Sequence, residues 1–198
     1  MGETAVSNTT VSKTTGKATI DAAMIVIRTK ETNKTYGITS GSKVAVEAAI
    51  DTQEAITLTI KGVLKAKKPE KKTLTGNTIT ITDALTIYEL LPLLNGGELV
   101  LDTDGKTIKG FHPPKVGEEV KMEKFDLDVY TAIMEGSTVT GYEKTTYPSC
   151  VGQPLGLNTE DDVFRTNEYN ITSTPGAGER AYDMEIVDSL PTFADASV

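Results

Sequence analysis

From Phe125 to Ile133 the side chains alternate. Phe125, Leu127, Val129, Thr131 and Ile133 fall on one face of an extended chain, and Lys124, Asp126, Asp128 and Tyr130 on the other. A period of two suits no helix, and Val, Thr, Tyr and Phe favour a pleated surface. Glu135-Gly136-Ser137 then supplies a chain reversal, because glycine reaches backbone angles closed to other residues, and the pattern resumes over Thr138 to Tyr142. The stretch from Glu118 to Tyr142 therefore reads as a long β-hairpin. A lone hairpin is marginal in water, so further strands must support it.

Those strands are visible elsewhere. Ala22 to Arg28 is a short apolar run of the kind that is buried in a sheet, and Val44 to Ile50, Ile56 to Ile60 and Asn77 to Thr82 follow. Leu99 to Leu101 and Thr107 to Lys109 flank a tight reversal at Asp102-Thr103-Asp104-Gly105. His112-Pro113-Pro114 breaks the chain ahead of the long hairpin. Beyond Tyr147-Pro148 the chain reads as loop to about Thr166, with final strands near Tyr169 to Ile171 and Met184 to Val187. One helix is expected, over about residues 84–94, with Asp83 as its cap, Leu85, Tyr88 and Leu91 as its apolar stripe, Ile87, Leu90 and Leu94 alongside, and Asn95-Gly96-Gly97 as its end. Between Lys61 and Lys72 lysines crowd around Pro69, which argues for an exposed loop or strand end. The polar start, Met1 to Lys17, reads as a mobile arm ahead of one domain over residues 18–198. The fold class is mainly β, a sandwich or barrel-like domain with one packed helix.

Composition narrows the functional classes. The hydrophobic fraction is 38%, which implies a modest core under a polar, Thr-rich surface. A single cysteine, Cys150, permits no internal disulfide, and there is no Cys/His cluster with zinc spacing. The start of the chain has neither a basic region nor an apolar run, so no signal peptide is expected, and no segment approaches the roughly 20 apolar residues of a spanning helix. A chain made in the cytosol follows. Asn8-Thr9-Thr10, Asn33-Lys34-Thr35 and Asn170-Ile171-Thr172 then match the glycosylation pattern only through the abundance of Thr.

Candidate chemistry is thin. His112 is the only histidine and stands before two prolines, so a Ser/His/Asp arrangement has one position to use and a poor one. Cys150 has no basic neighbour in sequence to lower its pKa, which suits a structural thiol. Asp102, Asp104 and Gly105 share part of a calcium-loop pattern without the rest of it, and Glu160-Asp161-Asp162 reads as a solvated loop rather than a cation site. Gly176-Ala177-Gly178 lacks the remainder of a dinucleotide fingerprint. No catalytic residue, metal ligand or cofactor is expected, so the protein is read as a non-enzyme. The lysines tempt a nucleic-acid reading, yet the net charge is −8 and a duplex reader needs a basic footprint. An acidic C-terminal quarter opposes the basic stretch, with Glu160, Asp161, Asp162, Glu168, Glu179, Asp183, Glu185, Asp188 and Asp195 against Arg165 and Arg180. Such asymmetry favours head-to-tail stacking of identical copies.

At Gly141-Tyr142-Glu143-Lys144-Thr145-Thr146-Tyr147-Pro148-Ser149-Cys150-Val151-Gly152 and Leu157-Asn158-Thr159-Glu160-Asp161-Asp162-Val163-Phe164-Arg165, the chain resembles the tail tube (major tail) proteins of long-tailed bacteriophages. The likeness continues more weakly through Tyr169 to Ser173 and Val187 to Pro191. It implies hexameric rings stacked into a hollow tube, with a continuous β-barrel lining built from every subunit. It also implies an extended loop reaching the adjoining ring, other tail components at the tube ends, and DNA passing through without specific binding during genome ejection. Location in the virion tail, after assembly in the host cytoplasm, follows. By position, the long hairpin is the wall candidate, with Lys124, Asp126, Asp128 and Tyr130 facing the channel. Lys61, Lys65, Lys67, Lys68, Lys71 and Lys72 would belong to the inter-ring contact loop. The immunoglobulin-like C-terminal domain of some relatives is not expected here. An acidic lining would keep phosphates from sticking.

Two rival classes remain. A β-sandwich adhesin for surface carbohydrate would want exposed aromatics, but Trp is absent and aromatics total 6%. A hydrolase on a β scaffold would have to rely on His112.

Overall fold

The computed structural model describes residues 16–156, 161–162 and 164–193. Most of the expected N-terminal arm, the Asn8 sequon, the motif residues Leu157 to Glu160 and Val163, and Asp195 lie outside the described residues. The chain is mainly β with one short helix. Its first half holds β1 (Ala18–Thr29), β2 (Thr35–Ile38), β3 (Gly41–Gln53), β4 (Ile56–Ile60), β5 (Val63–Lys68) and β6 (Lys71–Asp83). A 3-10 turn at Tyr88–Leu90 and α1 (Leu91–Asn95) come next. The second half holds β7 (Glu98–Leu101), β8 (Ile108–His112), β9 (Phe125–Glu135), β10 (Thr138–Gly152), β11 (Asn167–Ser173) and β12 (Asp183–Val187).

One antiparallel sheet runs in the order β2-β1-β9-β10-β11-β6-β3, with β12 paired to β10. β10 is the strand that joins its two halves. Residues Tyr142 to Thr146 pair with β12, while Cys150 to Gly152 pair with β11. Between them the register with β9 shifts at Tyr147/Cys150, and Ser149 takes a positive φ of 52°. This irregularity bends the strand so that both halves of the sheet face one core, since a bulge sharpens local twist. Ile25 and Ile27 of β1, Phe125, Leu127 and Val129 of β9, Ile79 and Ile81 of β6, and Tyr169 and Ile171 of β11 meet there. The expectation that the chain turns to loop beyond Tyr147-Pro148 is thus corrected: the strand continues to Gly152, and Pro148 sits within the irregular step, where a ladder N–H is not required.

The hairpin of β9 and β10 is present but begins at Phe125, not Glu118. Glu135 pairs with Thr138 across Gly136 and Ser137, and Gly136 has φ 63° at the first central position of that two-residue turn, as a II′ reversal requires.

The expected helix over 84–94 shrinks to the five residues of α1. Pro92 is the reason. It has no N–H to give the Tyr88 carbonyl and its ring would collide with that carbonyl, so a continuous ladder cannot pass it; in the first turn of a helix starting at Leu91 neither problem arises. Asp83 ends β6 instead of capping the helix, its Oδ1 accepting the Leu85 N–H at 3.0 Å. The buried side chains are accordingly Leu90, Leu91, Leu93 and Leu94, whereas Leu85 and Tyr88 are exposed.

α1 is held against β10 by an absent side chain. A Cβ on Gly152 would lie 2.6 Å from the Leu94 Cα and would strike the Leu94 carbonyl oxygen as well, and neither is a flexible group that can turn aside. Gly152→Ala is expected to lower stability by about 1–3 kcal/mol, the usual cost of overpacking, read as a shift of the urea midpoint with an unchanged m-value.

Candidate assembly surface

β3 and β6 pair from Gly41/Asp83 out to Gln53/Lys71. Near the body this ribbon is buried at Ile79 and Ile81; beyond Gly76 every residue of β6 is exposed. At its far end the chain adds a second hairpin, β4 with β5, closed by Lys61 (φ 49°) and Gly62 (φ 79°). Lys61 to Lys68 therefore form a turn and an exposed strand that ends before Pro69, where an exposed loop or strand end was expected, and Lys71 and Lys72 open β6. Pro69 falls in the gap between β5 and β6, so its missing N–H breaks no ladder.

Alternation gives this hairpin two unlike faces. Ile56, Leu58 and Ile60 share one side, with Lys68, Ala66 and Val63 opposite them on it. Thr57 and Thr59 share the other, with Lys67 and Leu64 opposite them. Yet Ile56, Leu58, Ile60 and Val63 are 65%, 53%, 49% and 56% exposed. An apolar stripe on a two-stranded hairpin with no described residue packed beneath it is unusual, because two strands alone bury too little to hold themselves together. Ile50 and Leu74 extend the exposed apolar surface down the ribbon. Lys61, Lys65, Lys67 and Lys68 make no ion pair with any other described residue, whereas Lys72 reaches Glu70 at 3.2 Å.

The second expected surface, the polar face of β9, is different in kind. Lys124 is exposed and Asp126 half-buried, but Asp128 and Tyr130 are covered, so neither faces solvent in the protomer as the alternation had suggested. The cover is the protein itself. Tyr130 packs with Met24 and Val26 of β1, and Tyr142, Val187 and Leu190 close over them. The Phe193 ring reaches Gly37 of β2, so the C-terminal segment crosses this side of the sheet. Burial raises the Tyr130 phenol pKa, with the Asp128 charge adding to the rise.

Alongside this small apolar cluster the charges are paired across strands. Arg28 of β1 holds the Asp128 carboxylate through both of its terminal nitrogens, and the Thr146 hydroxyl donates to Asp128 Oδ1 at 2.8 Å. Lys30 sits 3.0 Å from Asp126, whose Oδ1 also accepts the Ser149 N–H at 2.9 Å. Lys144 and Glu185 meet at 2.6 Å, and that bond raises the Lys144 pKa. Every acidic group in this ladder has a basic partner, so this face of the protomer is charge-balanced.

The remaining chemical candidates are apart from these surfaces or are used up internally. Cys150 is fully buried; burial pushes its thiol up to about 12, so it remains protonated and inert at neutral pH. His112 is exposed at the end of β8. The Asp104 carboxylate takes the Thr107 hydroxyl and the Thr107 and Lys106 N–H groups, which hold its pKa at about 2. Asp102 accepts the Thr103 N–H and pairs with Lys109. Both therefore serve the β7/β8 turn. Glu179 accepts the Gly176 N–H at 2.7 Å, closing the turn through Gly176-Ala177-Gly178. Among the described residues no group of three His, Cys, Asp or Glu is placed to hold a metal ion, and no helix is long and apolar enough to cross a membrane.

What the sequence missed is the coupling of Arg28 to Asp128 and the strap formed by Val187, Leu190 and Phe193. Motif residues 141–152 lie in β10 and do packing work there: Tyr142 and Tyr147 cover the two apolar clusters, Cys150 fills the larger, and Gly152 admits α1. No protein-family model matches the chain, and no curated protein matches it in sequence.

Proposed function

We propose that the chain is the repeating subunit of a bacteriophage tail tube, forming hexameric rings that stack into a hollow conduit for DNA. The observation that carries this reading is the exposed apolar stripe of the β4/β5 hairpin, displayed on an arm at the end of the β3/β6 ribbon. Such an arm has no use for its aliphatic face until another molecule covers it. A mainly antiparallel sheet with free outer strands, β2, β3 and β12, supplies edges that copies in a ring can pair or cover. The resemblance of residues 141–152 to tail tube proteins supports the same conclusion. In this reading the product of the protein is geometry rather than catalysis, its place is the virion tail, and its partners are further copies of itself and the components at the tube ends.

The ion-paired face of β1, β9, β10 and β12, where the C-terminal segment leaves it uncovered, is the proposed channel side. Its charges are already neutralised by neighbours, so a passing phosphate backbone finds few free cations to hold it. Lys124 is the exposed member of the four residues expected there, and Asp126 the half-buried one.

Electron microscopy of concentrated purified protein is expected to show rings or hollow rods; a compact monomer under all conditions would sink the proposal. The lysines give a second expectation. Lys67→Glu combined with Lys68→Glu reverses two of the four charges between Ile56 and Lys68, and should weaken stacking while rings still form. Wild-type stacking should also weaken as salt rises from about 0.1 M to about 1 M, where the screening length falls from about 10 Å to about 3 Å. Rods indifferent to both changes would remove electrostatics from the contact.

A further inference from the structure

Where the β3/β6 ribbon leaves the body, the two halves of the sheet stop meeting. Val44, Val46 and Ala48 of β3 form one wall of the resulting groove, and Thr131 of β9, Thr145 of β10 and Met184 of β12 lie across from them. Its volume is about 550 Å³, within the ~300–1,000 Å³ range of sites that take up a ligand-sized group. Val46 and Met184 are 40% and 56% exposed, and Val44 and Val129 join the groove to the core, so it carries apolar surface that no described residue covers. Asp21 and Glu143 contribute acidic groups to its lining, against Lys43 alone.

We infer that this groove receives the β4/β5 hairpin of a second copy of the chain. Three features match. The hairpin carries an aliphatic stripe, Ile56, Leu58 and Ile60, about 13 Å long at the usual strand rise, and the groove offers an aliphatic wall in Val44, Val46 and Ala48. Between Ile56 and Lys68 there are four lysines and no acidic residue, while the groove lining is net acidic. Each surface is exposed in this chain, so neither is satisfied by the other within one molecule. Donor and receptor are different patches of one protein, which makes the contact heterologous; contacts of that kind propagate head to tail into closed rings or open rods. The inference rests on the tube reading for why copies meet, and adds where they meet.

Two single substitutions test it. Leu58→Cys places a thiol on the stripe and Met184→Cys places one in the groove; both sites are more than half exposed, so the fold is undisturbed, and the native Cys150 is buried. The two proteins are mixed, allowed to assemble, and oxidised mildly, with Thr103→Cys on the distant β7/β8 turn as the control. A covalent dimer joining one chain of each kind, confirmed by peptide mass spectrometry, should exceed by at least about fivefold the dimers formed by either protein alone or with the control. If wild-type rods are seen in the microscope but the mixed dimer does not form, or if Leu58→Cys chains couple mainly to each other, the groove is not the receptor and the tube reading survives. If the mixed dimer forms but no rod or ring is ever seen, the groove assignment stands and the tube reading fails. Absence of both overturns both.

Discussion

Leu58→Asp combined with Ile60→Asp is expected to leave a folded monomer that no longer assembles. Neither side chain touches the main core, which is built from β1, β2, β6, β9, β10, β11, the 3-10 turn and α1, so circular dichroism and the melting temperature should be nearly those of the wild type. Exposed substitutions of this kind usually change stability by less than about 0.5 kcal/mol. In an assembled particle the same two positions must enter an apolar site. Burying an aliphatic side chain contributes about 1.5–3 kcal/mol, and at about 1.4 kcal/mol per tenfold, losing two such contributions weakens each contact by roughly 10²- to 10⁴-fold. Leaving two carboxylates without partners in that site adds to the loss. Thr57→Asp with Thr59→Asp is the matched control, since those residues lie on the opposite face of the same strand. Sedimentation velocity across a concentration series reads the result. Assembly by the Leu58/Ile60 variant at wild-type concentrations would show that the stripe is not a contact.

This contrast between two faces of one strand is legible in the sequence because alternation is local; other features depend on distant residues. Alternation at Ile56-Thr57-Leu58-Thr59-Ile60 and at Phe125 to Ile133 announces a strand because the side-chain period of two is a local property. Whether the polar face of that strand meets water is not local. Asp128 looked solvent-facing because its partner, Arg28, is a hundred residues earlier, and only the β1/β9 register brings them together. The cover over Tyr130 is non-local for the same reason, since it comes from Val187 and Leu190. Other errors were readable in principle. Pro92 already forbids an uninterrupted helix over 84–94. Between the lysines of Lys61 to Lys72, Val63, Leu64 and Ala66 suffice for one strand of a hairpin. The groove had no signal at all, because it is a space between β3 and strands contributed from far along the chain.

Arg28→Met is expected to damage the stability of the body much more than Asp128→Asn. The pair is lopsided: the Asp128 side chain is 0% exposed, while that of Arg28 is 41% exposed. Removing the guanidinium leaves a carboxylate sealed beneath the sheet with the Thr146 hydroxyl as its one remaining donor among the described residues. Stranding a buried charge in this way costs about 3–5 kcal/mol. The reverse substitution strands nothing, because Arg28 can turn its freed head into water along its solvent side, and an asparagine oxygen can still accept from Thr146. Asp128→Asn should therefore cost only about 1–2 kcal/mol, the range for a lost charge-assisted hydrogen bond. Replacing both, Arg28→Met with Asp128→Leu, should recover most of the loss, since a well-packed apolar pair often matches a buried ion pair. Urea midpoints for the three variants give the ordering directly. Equal losses from Arg28→Met and Asp128→Asn would mean that water reaches the carboxylate. The covered face of β9 would then be open to solvent in the protomer, as its alternation alone suggests, and the C-terminal segment would be no lid over it.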